Sequence, residues 1–206
     1  MSKFKTAAVL LSMFFLINCG HPPLNENVEI PSDYTYIIGP GDSIQIFVWD
    51  NPDISQSVTV RPDGKISTPL IDELLVIGKT PTQLARAVEA SLSQFVRDPL
   101  VSIIVGGFQG VYEQQVRIIG QIGGGSNRYS AQKMPYKKGM TLLDLLIQLG
   151  GIGEYGDGNR SSIIRTIKGK THQFGIRIDD LVEDGNLSAN INILPGDILI
   201  VPEAFF

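Results

Sequence analysis

A single cysteine occurs in the 206 residues, and its position decides where the fold can begin. Cys19 follows an apolar run, residues 7–17, broken by Ser12 and preceded by Lys3 and Lys5. A helix needs about 20 apolar residues to cross a bilayer, so this run is too short. A positive start before a short apolar core is instead the pattern of a secretory signal peptide. Residues 1–18 are therefore set apart from the fold, and Cys19 has no second cysteine to pair with.

The length allows one large domain or two small ones. Hydrophobic residues make up 43% and charged residues 18%, a globular rather than a disordered balance. The net charge of −4 gives little electrostatic help towards binding a polyphosphate backbone, so nucleic acid is excluded as a partner.

Residues 19–33 carry prolines and asparagines and few apolar side chains, and they read as a flexible tether. Order is expected from Tyr34. In residues 43–49, Ile44, Ile46 and Val48 alternate with Gln45, Phe47 and Trp49, which is a strand period. Residues 58–60 form a short strand, Arg61-Pro62-Asp63-Gly64 a tight turn, and residues 65–68 the returning partner of 58–60. Thr80, Pro81 and Gln83 carry the cap, first-turn proline and box residue of a helix start. Leu84, Val88, Leu92 and Phe95 give that helix its buried face. Residues 100–105 are strongly β-prone, and glycines at 106–110 mark the expected boundary between a first domain, 34–107, and a second, 111–206.

In the second half, residues 116–119 read as a strand and 123–129 as a loop. Thr141 caps a helix with Asp144 in its first turn, an apolar face of Leu142, Leu145, Leu146 and Leu149, and a stop at Gly150-Gly151. Residues 163–167 and 173–178 flank Lys168-Gly169-Lys170 as a hairpin, and residues 198–201 form a last strand. Short strands with one helix in each half make an α+β fold, and the second half is compatible with a β-grasp. Gly39-Pro40-Gly41-Asp42 is echoed by Leu194-Pro195-Gly196-Asp197, each before a β-rich run, and both read as ordinary turns.

No catalytic constellation emerges. Residues 151–156 match a dinucleotide-binding glycine pattern, but they follow a helix rather than a strand, so they read as a loop. The two histidines, His21 and His172, are too few for a metal site or a triad. Asp50, Asp53, Asp63 and Asp72 sit mostly beside prolines and glycines, as turn formers rather than a glycosidase pair. Of Tyr34, Tyr36, Phe47 and Trp49, core packing is expected ahead of sugar stacking. Arg128, Lys133, Lys137 and Lys138 read as a solvated loop.

These motifs carry four resemblances. Residues 16–20, Leu-Ile-Asn-Cys-Gly, resemble the lipobox of bacterial lipoproteins, which implies acylation of Cys19 after cleavage. Gly20, where inner-membrane retention often uses Asp, implies the outer membrane, with the protein facing the periplasm. Residues 36–42, 46–49 and 60–66 resemble the polysaccharide biosynthesis/export domain of outer-membrane export proteins of the Wza type. Residues 138–144, 150–151 and 195–203 resemble the SLBB β-grasp domain that follows it. Asn159-Arg160 and residues 201–206 look like the subgroup associated with exosortase/PEP-CTERM loci.

The family resemblance implies a non-enzymatic, cofactor-free, ring-forming role in moving exopolysaccharide or capsule. It implies an inner-membrane co-polymerase and tyrosine kinase of the Wzc type as partner. Long members end in a pore-building amphipathic helix, whereas five residues follow the last expected strand here, so the expectation is a homo-oligomeric ring or adaptor feeding a separate outer-membrane channel. Within the family motifs, Gly39, Pro40, Gly41, Asp42, Arg61, Pro62, Asp63, Gly64, Pro195, Gly196 and Asp197 are expected to shape turns rather than touch polymer. The competing readings are a soluble glycan-binding β-grasp module with a sensing role, and a periplasmic glycan-cleaving enzyme.

Overall fold

The computed structural model describes residues 21–24, 33–123 and 129–205. The fold is α+β and is built around two separate apolar clusters.

The first cluster lies under a three-stranded antiparallel sheet. Its middle strand is β1 (Ser43–Val48), flanked by β2 (Gln56–Thr59) and β5 (Val101–Gly106). The period-two pattern of β1 sends Ile44, Ile46 and Val48 inward. Helix α1 (Pro81–Leu92) closes the other side with Leu84, Ala85, Val88 and Leu92. Thr80 Oγ1 accepts from the Gln83 N–H while the Gln83 side chain takes the Thr80 N–H, so two otherwise orphaned donors are satisfied reciprocally. The helix ends at Leu92, with Ser93 as its C-cap. Phe95 therefore falls beyond the helix and stands exposed instead of extending the buried face.

β3 (Lys65–Thr68) does not return to β2. It pairs with β4 (Ile71–Leu75) as a separate two-stranded ribbon. The turn before it is formed as expected, with Gly64 N–H donating to Arg61 O and Arg61 N–H to Lys65 O, but the strand ladder of β3 runs to β4.

The second cluster sits under a five-stranded sheet of order β7-β6-β10-β8-β9. β6 (Gln115–Gly120) runs parallel to the central β10 (Ile198–Val201), and the other neighbours are antiparallel. β7 (Ser130–Pro135) is an edge strand. β8 (Ser162–Ile167) and β9 (Lys170–Gly175) form the hairpin around Lys168 and Gly169, both at positive φ as a two-residue turn requires. β9 thus starts earlier than the sequence suggests, and Ile178 opens helix α3 (Ile178–Val182) instead of ending the strand. Helix α2 (Leu142–Leu149) buries Leu142, Leu145, Leu146 and Leu149 and stops at left-handed Gly150.

The stretch read as a tether is docked at its start. Gly175 N–H donates to Pro22 O (2.9 Å), Pro23 bridges Gly175 in parallel, and Leu24 packs on the second cluster. Tyr34 also packs there, edge-on to Tyr136 at 4.9 Å. Cys19 lies outside the described residues.

Candidate functional site

The two echoed turns are built alike. In residues 39–42 and 194–197, proline presets the second position and glycine takes φ near +90° at the third (Gly41 89°, Gly196 86°), the geometry of a type II turn. The fourth residue closes each turn twice. Asp42 N–H donates to Gly39 O (3.3 Å) while its carboxylate accepts the Gly39 N–H (2.9 Å). Asp197 N–H donates to Leu194 O (3.2 Å) while its carboxylate accepts the Leu194 N–H (2.7 Å).

Both aspartates are buried, so each carboxylate needs further donors. Asp42 takes the Tyr36 hydroxyl (2.7 Å) and the N–H groups of Gln109 (2.6 Å) and Gly110 (3.1 Å). It thereby binds the first turn to the glycine-rich stretch that joins the two sheets. Gly39 presses so closely on that stretch that a Cβ there would lie 1.9 Å from Gly110 O. Asp197 takes a bidentate pair from buried Arg165, Nε at 2.9 Å and a terminal nitrogen at 2.6 Å. Burial pushes the Asp197 carboxyl up from its ordinary range, and the Arg165 guanidinium pulls it back. Burial and the bond to Asp42 hold the Tyr36 phenol protonated well past its ordinary range.

Arg61, Pro62, Asp63 and Gly64 occupy the exposed turn before β3. Arg61 bridges Asp63 (2.6 Å) and Glu73 (3.1 Å), and Glu73 also takes Lys65 (2.6 Å). The bonds from Lys65, then Arg61, hold the Glu73 carboxyl below its usual range. Gly64 stands at φ +75°, and a Cβ there would lie 2.5 Å from Ile77 Cγ2. Asp50 lies in the turn after β1, Asp53 in the 3₁₀ turn that follows it, and Asp72 on β4.

The expectation of core packing fails for two of the four aromatics. Ile44, Ile46 and Val48 already fill the inner face of β1, so Phe47 is turned outward at 43% exposure, and Trp49 beyond the strand stands at 67%. Their rings meet edge-on at 6.3 Å, and exposed Leu100 and Ile104 belong to the neighbouring β5 segment. Lys133 is also not in a loop. It lies on edge strand β7, 6.0 Å from the Tyr112 ring, while Lys137 bonds Gln148 (3.1 Å). Arg128 lies outside the described residues.

A cleft of about 580 Å³ opens beside the docked N-terminal stretch, lined by His21, Asn159, Arg160, Gln173, Arg177 and Pro202 among others. Arg160 pairs with Asp157 (3.3 Å), and Arg177 forks onto Asp180, which raises the guanidinium's pKa and lowers the carboxyl's. Residues 151–156 form a loop leaving α2, with Gly153 N–H donating to Gln121 O and Gly156 bridging Glu203. Among the described residues, no group of three His, Cys, Asp or Glu side chains is placed to hold a metal ion. No described helix is long and apolar enough to cross a membrane.

Comparison with known proteins meets the first sheet and its turns. Residues 30–106 match the polysaccharide biosynthesis/export protein family. The chain is 28% identical over 191 residues to the EPS I polysaccharide export outer membrane protein EpsA of Ralstonia nicotianae, covering 82% of this chain and 47% of that one. It is 25% identical over 190 residues to the protein of the same name from Ralstonia solanacearum, covering 81% and 47%. The chain spans about half the length of these curated relatives. The family match thus covers residues 30–106, and the likeness to the two export proteins extends over both sheets.

Proposed function

We propose that this chain is a non-enzymatic component of an exopolysaccharide or capsule export apparatus, anchored in the outer membrane through acylated Cys19 and facing the periplasm. The observation that carries the reading is the family match over residues 30–106, which falls on a folded unit with its own apolar cluster and its own aspartate-closed turn. The names of the relatives, export outer membrane proteins, support the same role and membrane.

The second unit, residues 111–206, acts in this proposal as an SLBB-like β-grasp. A helix lying on a mixed sheet with a parallel central pair supports that reading. Copies assemble into a ring or adaptor between an inner-membrane co-polymerase with its tyrosine kinase and a separate outer-membrane channel. Edge strands β2 and β7 offer unpaired backbone for contacts between copies.

Deletion of the gene tests the role. The expected result is loss of surface polymer, restored by the wild-type chain and equally by Asp50→Asn and Asp63→Asn variants. Loss of polymer modification or cleavage with normal surface delivery would overturn export in favour of an enzyme. Normal delivery with altered regulation would favour a glycan sensor.

A further inference from the structure

The start of the chain is fixed to a definite place on the second unit. Pro22 O accepts the Gly175 N–H at 2.9 Å, Pro23 bridges Gly175, and Leu24 is packed on the second cluster. His21 lines the cleft with Arg160, Arg177 and Pro202. Cys19 precedes His21 by two residues, and two residues of extended chain reach about 7 Å at most. An acyl group on Cys19 would therefore anchor the chain within about 7 Å of His21, at this cleft.

The surface there has the composition of an interfacial contact. Phe205 is 86% exposed, and the Arg160 guanidinium lies over its ring at 4.2 Å. The ring's position is held, because Ala204 N–H donates to Tyr155 O (2.8 Å) and Glu203 bridges Gly156. Tyr155 is itself 42% exposed. Aromatic rings next to a guanidinium suit the boundary between headgroups and acyl chains, where an apolar body and a polar tip are both satisfied. Net attraction by charge is not what brings it there. Asp157 and Asp180 neutralise Arg160 and Arg177, Asp179 accepts the Asn159 N–H at the cleft, and Glu203 follows the lining residue Pro202.

We propose that the face formed by Tyr155, Arg160 and Phe205 lies against a phospholipid surface, with Phe205 inserted at the level of the headgroups beside the anchor. The proposal rests on acylation of Cys19. It fixes which end of the molecule meets the membrane: the cleft and Phe205 of the second unit.

The test uses the full mature chain purified from membranes, with Trp49→Phe and Phe205→Trp so that one tryptophan reports from position 205. It is reconstituted into phosphatidylethanolamine/phosphatidylglycerol vesicles with and without brominated acyl chains. The expected result is about twofold quenching by lipid brominated at the top of its acyl chains, next to the headgroups, since bromine quenches at short range and the ring sits at that boundary. The quenching should be unchanged by added salt, because the ion pairs leave little net charge to screen. Intact mass of the same sample reports acylation separately. Acylated, vesicle-bound chain without quenching overturns the orientation and leaves the lipoprotein reading standing. An unmodified Cys19 removes the lipoprotein reading and the orientation with it.

Discussion

Replacing Asp42 by asparagine exchanges one carboxylate oxygen for an NH2 group and asks how much of the first unit hangs on one carboxylate. Asp42 is fully buried and accepts from four donors: Tyr36 Oη, and the N–H groups of Gly39, Gln109 and Gly110. An asparagine keeps one acceptor oxygen and turns the other into a donor. Facing Gln109 and Gly110, the amide meets two N–H groups and loses both bonds. Facing Gly39 and Tyr36, it loses one N–H bond and forces the phenol to rotate and accept. The second arrangement is the cheaper, and the two bonds that remain lose their charge assistance. A bond to a charged acceptor contributes about 1.5–3 kcal/mol, and an orphaned buried donor costs about 1–3 kcal/mol. The expected destabilisation is therefore about 3–5 kcal/mol, a large part of the roughly 5–15 kcal/mol that holds a domain together. Urea unfolding followed by the fluorescence of Trp49, the single tryptophan, reads it directly. A loss below about 1 kcal/mol would refute the idea that this carboxylate is the hub of the turn.

Arg165→Ala leaves Asp197 buried without its counter-charge and should cost about 3–5 kcal/mol in the same assay, read through a probe on the second unit. Gly64→Val demands a β-branched residue at φ +75° against Ile77 and should lower soluble yield before it touches export; a fully folded, export-dead Gly64→Val protein contradicts this. Tyr36 titrates above its ordinary value, so its contribution to stability is complete below pH about 10 and is lost as the pH rises from there towards the folded value. Tyr36→Phe should flatten that alkaline loss in thermal melts between neutral and strongly alkaline pH, and an unchanged slope would contradict the assignment.

What was legible in the sequence was local. The capping box at Thr80, the cap at Thr141, the stop at Gly150 and the inward set of β1 follow from neighbours within a few residues, and the structure repeats them. The echoed turns were legible as turns, but their buried carboxylates were not. Two of the four donors that satisfy Asp42 lie 67 and 68 residues away, and the arginine that satisfies Asp197 lies 32 residues away. β4 and β7 escaped because Ile71-Asp72-Glu73-Leu74-Leu75 does not alternate and Ser130-Ala131-Gln132-Lys133-Met134-Pro135 holds no β-branched or aromatic residue. An edge strand draws on its neighbour for order rather than on its own propensity. The exposed Phe47 and Trp49 reverse the usual rule for aromatics, since the strand period outranks residue type once the inner face is full. The docking of Pro22 and Pro23 on β9 left no trace in a stretch whose composition says tether.

The mass of the native protein, extracted from membranes in mild detergent, tests the export reading most directly. The account predicts a large homo-oligomeric ring of chains acylated at Cys19. A chain that remains an unmodified monomer at high concentration, with or without its membrane partners, would contradict it.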